Sequence, residues 1–197
     1  TTKEISKRIS NRICHGFDSF EGLPEDWSGQ PYSKGAYSEN GKVPKLPKNI
    51  KIYKGWFHET LPDFLKKNKG VVDFIHFDCD LYSSTKTILD LLGNRIVQGT
   101  ILIFDEYLNY PTWQQHEFKA FQEFTKKRNV TYEYLAFTSK SAVCIKFIEP
   151  PTLISISSMK SKFTPAPIET AINVPSVLRF WYPTIGSLLA YSPSSIR

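Results

Sequence analysis

Short apolar runs alternate with amphipathic stretches over the first 148 residues of the chain. The apolar or alternating runs predict six strands: RICHGF (12–17), IKIY (50–53), VVDFIHF (71–77), TILIF (100–104), VTYEYLAF (130–137) and SAVCIKFI (141–148). The amphipathic stretches predict three helices: HETLPDFLKKNKG, SSTKTILDLLGNRIVQG and WQQHEFKAFQEFTKKRN. Because residues 28–49 show no period and are rich in Gly, Pro, Ser, Asn and Lys, we expect a loop there.

Helix ends follow from capping chemistry. Thr60 is the expected cap of the first helix, with Pro62 in its first turn and Gly70 as its stop. The second helix is expected to begin at Ser/Thr caps and to run to Gly99, with Ile96 on its apolar face.

The resulting order, β-α-β-α-β-α-β-β, predicts an α/β fold. Strands 71–77 and 100–104 are almost continuously apolar, as parallel strands covered on both faces are. The last two strands predict an antiparallel hairpin. Residues 1–148 thus form the predicted domain, whereas 149–197 hold seven of the 13 prolines and are predicted to be a poorly ordered appendage.

Composition narrows the possible partners. The net charge of +6 is spread over scattered lysines, which argues against a nucleic-acid partner. No apolar run approaches the roughly 18 residues of a membrane span, so no membrane partner is expected. Three widely spaced cysteines fit neither a disulfide framework nor a zinc cluster, and favour a reducing, cytoplasmic location.

Two predicted strands end in acids: Asp78 and Asp80 follow 71–77, and Asp105 and Glu106 follow 100–104. Ligands bind beyond the carboxyl ends of parallel strands, and one short helix connects these two, which predicts that they are neighbours. Four carboxylates there would repel one another unless a cation lies among them or one of them retains its proton. An all-oxygen set favours Mg²⁺, then Ca²⁺ or Mn²⁺. His76 is interpreted as a hydrogen-bonded core residue, and His116 as a weaker candidate for this crevice.

FDCD alone leaves several functions open. A D-x-D pair occurs in phosphatases with an aspartyl nucleophile and in metal-dependent glycosyltransferases that grip a diphosphate. The chain contains no G-x-x-x-x-G-K-[ST] loop, which excludes the P-loop ATPase that ILIFDEY suggests.

Longer motifs carry a more specific resemblance over residues 16–148. GFDSFEGLPEDW, GWFHETLPDFL, FIHFDCDLYSSTKTILDLL and GTILIFDEYLNYPTWQQHEFKAFQEF resemble the macrocin and mycinamicin-type sugar O-methyltransferases. The resemblance implies a Rossmann-like fold, S-adenosylmethionine as cofactor and a small-molecule acceptor such as a sugar hydroxyl. It also implies roles for five acids: ribose binding by Asp18, metal binding by Asp78, Asp105 and Glu106, and general base catalysis by Asp80.

The chain departs from this family pattern at its start. It contains no G-x-G pair, and strand 12–17 matches the second strand of the fold. We therefore expect a fragment lacking the first strand and Gly-rich turn, with apolar sheet edges left open. An alternative function follows: a non-catalytic module that associates through its open sheet, including as a homo-oligomer.

Overall fold

A computed structural model describes residues 2–8, 11–148 and 188–191 of the chain. The helices are α1 (Thr2–Arg8), α2 (Phe57–Lys67), α3 (Tyr82–Leu92) and α4 (Glu117–Arg128). The strands are β1 (Cys14–Asp18), β2 (Ile50–Lys54), β3 (Val72–Phe77), β4 (Ile96–Phe104), β5 (Thr131–Phe137), β6 (Val143–Ile148) and β7 (Leu188–Tyr191). Short 3₁₀ turns occupy Gly93–Arg95 and Trp113–Gln115. All three predicted helices and all six predicted strands are present, and the predicted α/β class is confirmed.

The strands form one seven-stranded sheet in the order β2-β1-β7-β3-β4-β6-β5. β1 pairs with β2 in parallel, and β3 pairs with β4 in parallel. β6 is antiparallel to both β4 and β5, so the predicted closing hairpin is confirmed. β7 is antiparallel to its two neighbours, β1 and β3.

β7 occupies the place where the sequence predicts an open gap. The resemblance implies that the missing first strand lies in the middle of the sheet and that its absence exposes apolar edges. Residues 188–191 fill this position and pair on both sides, so the expected open edges are closed in the structure. These four residues come from the predicted appendage and are a strand. The remainder of 149–197 lies outside the described residues, and the domain division stays a prediction.

Several predicted helix boundaries were wrong. α2 begins at Phe57, three residues before the predicted cap, and Thr60 lies inside the helix, where its hydroxyl donates to the Trp56 carbonyl at 3.0 Å. Glu59 satisfies the helix start by accepting the Trp56 N–H at 3.0 Å. α3 begins before its Ser/Thr run and ends at Leu92, because Ile96 pairs with β3 as part of β4.

The core lies between the central strands and the helices that cover them. Phe77 on β3 and Phe104 on β4 are register partners, fully buried and stacked with ring centroids 4.5 Å apart. Phe121 of α4 packs on Phe104 at 5.1 Å. This stack fixes the relative height of β3 and β4 at the point where both strands end. Across the described residues, no helix is both long and apolar enough to cross a membrane.

Candidate functional site

The two acid-bearing strand ends lie side by side. Register pairs Phe77 with Phe104, so Asp78 and Asp105 are the next residues on adjacent parallel strands. The Asp105 N–H donates to the Phe77 carbonyl at 3.0 Å, which extends the ladder to the first acid. Both aspartates are nearly buried, at 7% and 9% exposure. The predicted convergence of Asp78 and Asp105 is confirmed.

Asp80 lies in a strained turn between β3 and α3. Its φ is +59°, a left-handed conformation that residues other than glycine rarely adopt. The Leu81 N–H donates to the Cys79 carbonyl at 2.6 Å, closing a three-residue γ-turn around Asp80. Such strain persists only where surrounding structure imposes it, and it clusters at functional sites. The turn holds the Asp80 carboxyl, 7% exposed, at the start of α3.

Asp80 and Glu106 form a hydrogen-bonded pair of carboxyls. Burial raises the pKa of Asp80 from 3.8 to about 6, against the lowering effect of the hydrogen bond with Glu106. Burial, followed by the charges of Asp80 and Glu117, raises the pKa of Glu106 far above its usual range. Burial also raises the pKa of Asp78, and the neighbouring Asp105 adds to this effect. Without a cation, these groups therefore favour protons that a bound metal would displace.

Within residues 2–8, 11–148 and 188–191, two overlapping groups of side chains could hold a metal ion. Asp78, Asp80 and Glu106 form one, and His76, Asp78 and Asp105 form the other; within each group the donor atoms lie within 4.8 Å of one another. The predicted ligands Asp78, Asp105 and Glu106 are thus divided between two groups that share Asp78. Their assignment as the ligand set stays a prediction.

His76 enters this centre, although its sequence context favours a core residue. It is 1% exposed, and its Nε2 lies 3.6 Å from Asp105 Oδ1. Its Nδ1 has no hydrogen-bond partner within the described part of the chain. The sequence signal was the position of His76 two residues before Asp78, on the same face of β3.

Glu117 is a fifth carboxyl at the same place, and sequence reasoning missed it. It is the first residue of α4, fully buried, and its Oε2 accepts the Glu106 N–H at 3.1 Å. Its Oε1 accepts a weak hydrogen bond from Cys79 Sγ at 3.8 Å. Burial raises the pKa of Glu117 well above its usual range, and the charges of Asp80 and Asp105 add to the effect.

Asp18 ends β1 on the other side of β7. Its Oδ1 accepts the Phe20 N–H at 2.8 Å, which turns the chain sharply after the strand. Burial raises its pKa from 3.8 to about 6, against the effect of the Phe20 hydrogen bond. A narrow cleft of about 50 Å³ separates Asp18 from Asp80 and is also lined by Gly22, Trp56 and other residues. Asp18 and the acidic centre therefore face one continuous edge of the sheet.

A larger cavity of about 450 Å³ adjoins the acidic centre. Asp78, Asp80 and Glu106 form its acidic wall. Aromatic side chains from the 19–48 loop and from the segment after β4 also line the cavity: Trp27, Tyr32, Tyr37 and Tyr110. Its size lies within the range typical of small-molecule sites.

His116 lies behind this cavity. Its ring Nε2 is hydrogen-bonded to the Ser28 carbonyl at 3.0 Å, and its ring packs against Trp27 and Tyr110. Thr112 also donates to the Ser28 carbonyl, at 2.7 Å. His116 therefore packs between the two loops that line the cavity. It belongs to neither group of possible metal ligands in the described part of the chain.

The fold is that of known O-methyltransferases. The chain is similar to the structure entitled "Crystal Structure of CalS11, Calicheamicin Methyltransferase", with 22% identity and a TM-score of 0.54 over 68% of this chain and 60% of that chain. It is also similar to "Structure of the O-methyltransferase NovP", with 22% identity and a TM-score of 0.55 over 75% of this chain and 66% of that chain. The chain thus spans about 60% of the length of the first of these structures.

A family model gives the narrower assignment. The model described as "Macrocin-O-methyltransferase (TylF)" matches residues 39–143, which is more than half of the chain. The chain belongs to this family, as its sequence motifs predict. A search of curated proteins found no match.

Proposed function

We propose that this chain carries the catalytic acids of an S-adenosylmethionine-dependent, divalent-metal-assisted O-methyltransferase that acts on a hydroxyl of a sugar or glycosylated small molecule. The supporting observation is the meeting of Asp78, Asp80, Asp105 and Glu106 at the carboxyl edge of β3 and β4. Membership of the macrocin-O-methyltransferase family and the methyltransferase fold support the same reaction class.

The donor set suits a hard divalent cation. It consists mainly of carboxylate oxygens, in groups whose members lie within 4.8 Å of one another, and Mg²⁺ prefers such oxygen ligands. In the proposal Asp78, Asp105 and Glu106 hold the cation, with His76 as a further neighbour of Asp105. When bound, the ion supplies Lewis-acid activation of the acceptor hydroxyl.

Asp80 is the proposed general base. Its pKa of about 6 lies close to neutral pH, where a base is both ionised and able to accept a proton. It lines both the large cavity and the narrow cleft toward Asp18, so it stands between the proposed acceptor and cofactor positions. The strained turn fixes this carboxyl in place before the acceptor arrives.

The residues around Asp18 match part of what an S-adenosylmethionine site requires. S-adenosylmethionine supplies an electrophilic methyl group when bound, and in the proposal the Asp18 carboxylate accepts hydrogen bonds from its ribose hydroxyls. Among the described residues, no glycine-rich turn faces Asp18 across the cleft, and the cleft holds only about 50 Å³. Among the described residues, Asp18 thus supports the ribose contact of the proposed cofactor site.

The acceptor assignment rests on the 450 Å³ cavity. Its aromatic wall offers flat apolar surfaces that suit the faces of a sugar ring, with phenol hydroxyls at their rims. The acidic residues of the same cavity include Asp80. A hydroxylated ring bound in this cavity would present a hydroxyl to the proposed base.

Metal binding and methyl transfer test the proposal separately. Mn²⁺ titration followed by electron paramagnetic resonance should show one or more specific sites that Mg²⁺ competes for and that Asp105→Asn weakens. Asp63→Asn is the matched control, because Asp63 is an exposed aspartate paired with Lys66. Incubation with S-adenosylmethionine carrying a labelled methyl group and a panel of nucleotide-linked sugars should then yield a metal-dependent labelled product.

Other outcomes are equally informative. Mn²⁺ binding without methyl transfer to any acceptor would favour the non-catalytic module. If Mn²⁺ binds no more tightly to the wild type than to Asp105→Asn, the metal-assisted mechanism is wrong.

A further inference from the structure

The two acidic loops are joined by one buried side chain. One loop carries Asp78 and Asp80 with Cys79 between them, and the other carries Asp105 and Glu106. Glu117 contacts both: Oε2 accepts the Glu106 N–H at 3.1 Å, and Oε1 accepts from Cys79 Sγ at 3.8 Å.

The contacts of Glu117 lie where they would set the positions of the acidic side chains. The Glu106 N–H belongs to the residue whose carboxyl pairs with Asp80, so fixing this amide orients the Glu106 side chain. Cys79 lies between Asp78 and Asp80 in the chain. Its thiol also lies 3.4 Å from Thr85 Oγ1. Glu117 and Thr85 together hold the middle of the first loop from two sides, beside the strained turn at Asp80.

A carboxyl at this position is energetically unfavourable unless both of its oxygens are used. Glu117 is fully buried beside four other acids, where an amide or apolar side chain would avoid like-charge repulsion. Its place in the first turn of α4 offsets part of this cost, because helix N-termini favour negative charge. A carboxyl offers one acceptor oxygen to each loop, with Oε2 toward the Glu106 N–H and Oε1 toward Cys79 Sγ.

We propose that Glu117 is a positioning residue that sets the spacing between the Asp78–Asp80 loop and the Asp105–Glu106 loop, and thereby the geometry of the metal and base site. This inference rests on the proposed function, because it assumes that the two loops act on one bound cation. Glu117 itself belongs to neither group of possible metal ligands within the described residues. It acts through Glu106 and Cys79.

The test compares Mn²⁺ affinity in Glu117→Asp, Glu117→Gln and Glu117→Ala. Loss of an outer hydrogen-bond partner typically weakens metal affinity by about 10–100-fold, and we expect this loss for Ala and Asp. Asp is one methylene too short to span both loops. Gln keeps the length and one acceptor oxygen for the Glu106 N–H, so it should retain affinity within about tenfold of the wild type.

Glu123→Ala is the matched control. Glu123 lies on the same helix, and its carboxylate accepts a hydrogen bond from the exposed Tyr82 hydroxyl of α3 at 2.8 Å rather than from either acidic loop. Its loss should leave Mn²⁺ affinity unchanged. The order wild type, Gln, then Asp and Ala, seen in folded protein at equal thermal stability or after correction for the unfolded fraction, supports the inference.

The two proposals fail differently. If the wild type shows no specific Mn²⁺ site, the proposed function fails and takes this inference with it. If the wild type binds Mn²⁺ and Glu117→Asp binds it equally well, only the role of Glu117 is overturned. Should Glu117→Ala not fold, Asp and Gln still decide, since both retain a polar side chain at this position.

Discussion

The edge of the sheet has two halves that are built differently. The acidic half lies on β3 and β4, which are consecutive, parallel and joined by α3 alone. The Asp18 half lies on β1, whose inner neighbour is β7, a strand about 170 residues further along the chain and opposite in direction. A local crossover thus specifies the first half, whereas long-range pairing completes the second.

Each half of the sheet edge is therefore destabilised by a different factor. In the acidic half the backbone geometry is set by adjacent parallel strands. The unfavourable term is electrostatic repulsion, because five carboxyls lie close together with little exposure to solvent. The Asp18 half has a single carboxyl, and its difficulty is structural, because its neighbouring strand comes from a distant segment. A cation should therefore matter most for the first half, and strand pairing for the second.

The largest expected effect is on turnover, from Asp80→Asn. An amide cannot accept the proton of the acceptor hydroxyl, so methyl transfer should fall by about 10²–10⁴-fold, the usual contribution of a general base. Affinity for S-adenosylmethionine should stay close to that of the wild type, because the proposed ribose contact is on Asp18. Steady-state kinetics and calorimetric titration measure the two quantities. Unchanged turnover would remove Asp80 from the role of base.

The acidic half could be predicted because its signals are local. Two apolar runs end in acids, and the short helical stretch between them makes the strands neighbours. The register then places Asp78 beside Asp105 without any further information. The closing hairpin was equally visible, since β5 and β6 are adjacent in sequence and show alternation.

The remaining features depend on tertiary contacts that the pattern of apolar and polar residues does not predict. Glu117 appears in the sequence as an ordinary acid in the first turn of a helix, and only the packing of α4 brings it against Cys79 and Glu106. β7 lies in a stretch rich in proline and serine, and its pairing with β1 and β3 is entirely long-range. The start of α3 was misplaced because Ser83 and Ser84 suggest a cap, whereas the helix begins at Tyr82.

The next effect in size is stabilisation by Mg²⁺, which sharpens the electrostatic side of the comparison. Without metal, the raised pKa of Asp80, about 6, means that its contribution to stability is present below 3.8 and is lost as pH rises through about 6. The raised pKa values of Asp78 and Glu106 act in the same direction. Metal-free protein should therefore become less stable toward neutral pH.

Mg²⁺ at about 100 times its dissociation constant should then restore about 2.7 kcal/mol at neutral pH, and less at about pH 5, where protons compete for the ligands. Urea denaturation with EDTA or with Mg²⁺ at both pH values measures this. An equal gain at the two pH values would contradict a carboxylate site.

A smaller effect tests the long-range half. Leu189 pairs with Gly16 on one side and His76 on the other, so proline there interrupts a strand paired along both edges. Leu189→Pro should lower the free energy of unfolding by about 1–3 kcal/mol through an unmade buried hydrogen bond. Leu135→Pro is the control, because Leu135 lies at an irregularity of the edge strand β5 and should cost less. Equal losses in the two variants would argue against β7 in the centre of the sheet.

The smallest expected effect is a pH dependence of cofactor binding through Asp18. Its ionised form accepts hydroxyl hydrogen bonds best, and burial raises its pKa to about 6. Affinity for S-adenosylmethionine should therefore be constant above this value and fall as pH decreases, reaching about tenfold weaker binding one unit below the pKa. Asp18→Asn should bind weakly with no such dependence, whereas the exposed Asp26→Asn should behave as the wild type. Calorimetric titrations across this range measure both, and a wild-type affinity that does not change with pH would show that the Asp18 carboxylate makes no contact with the cofactor.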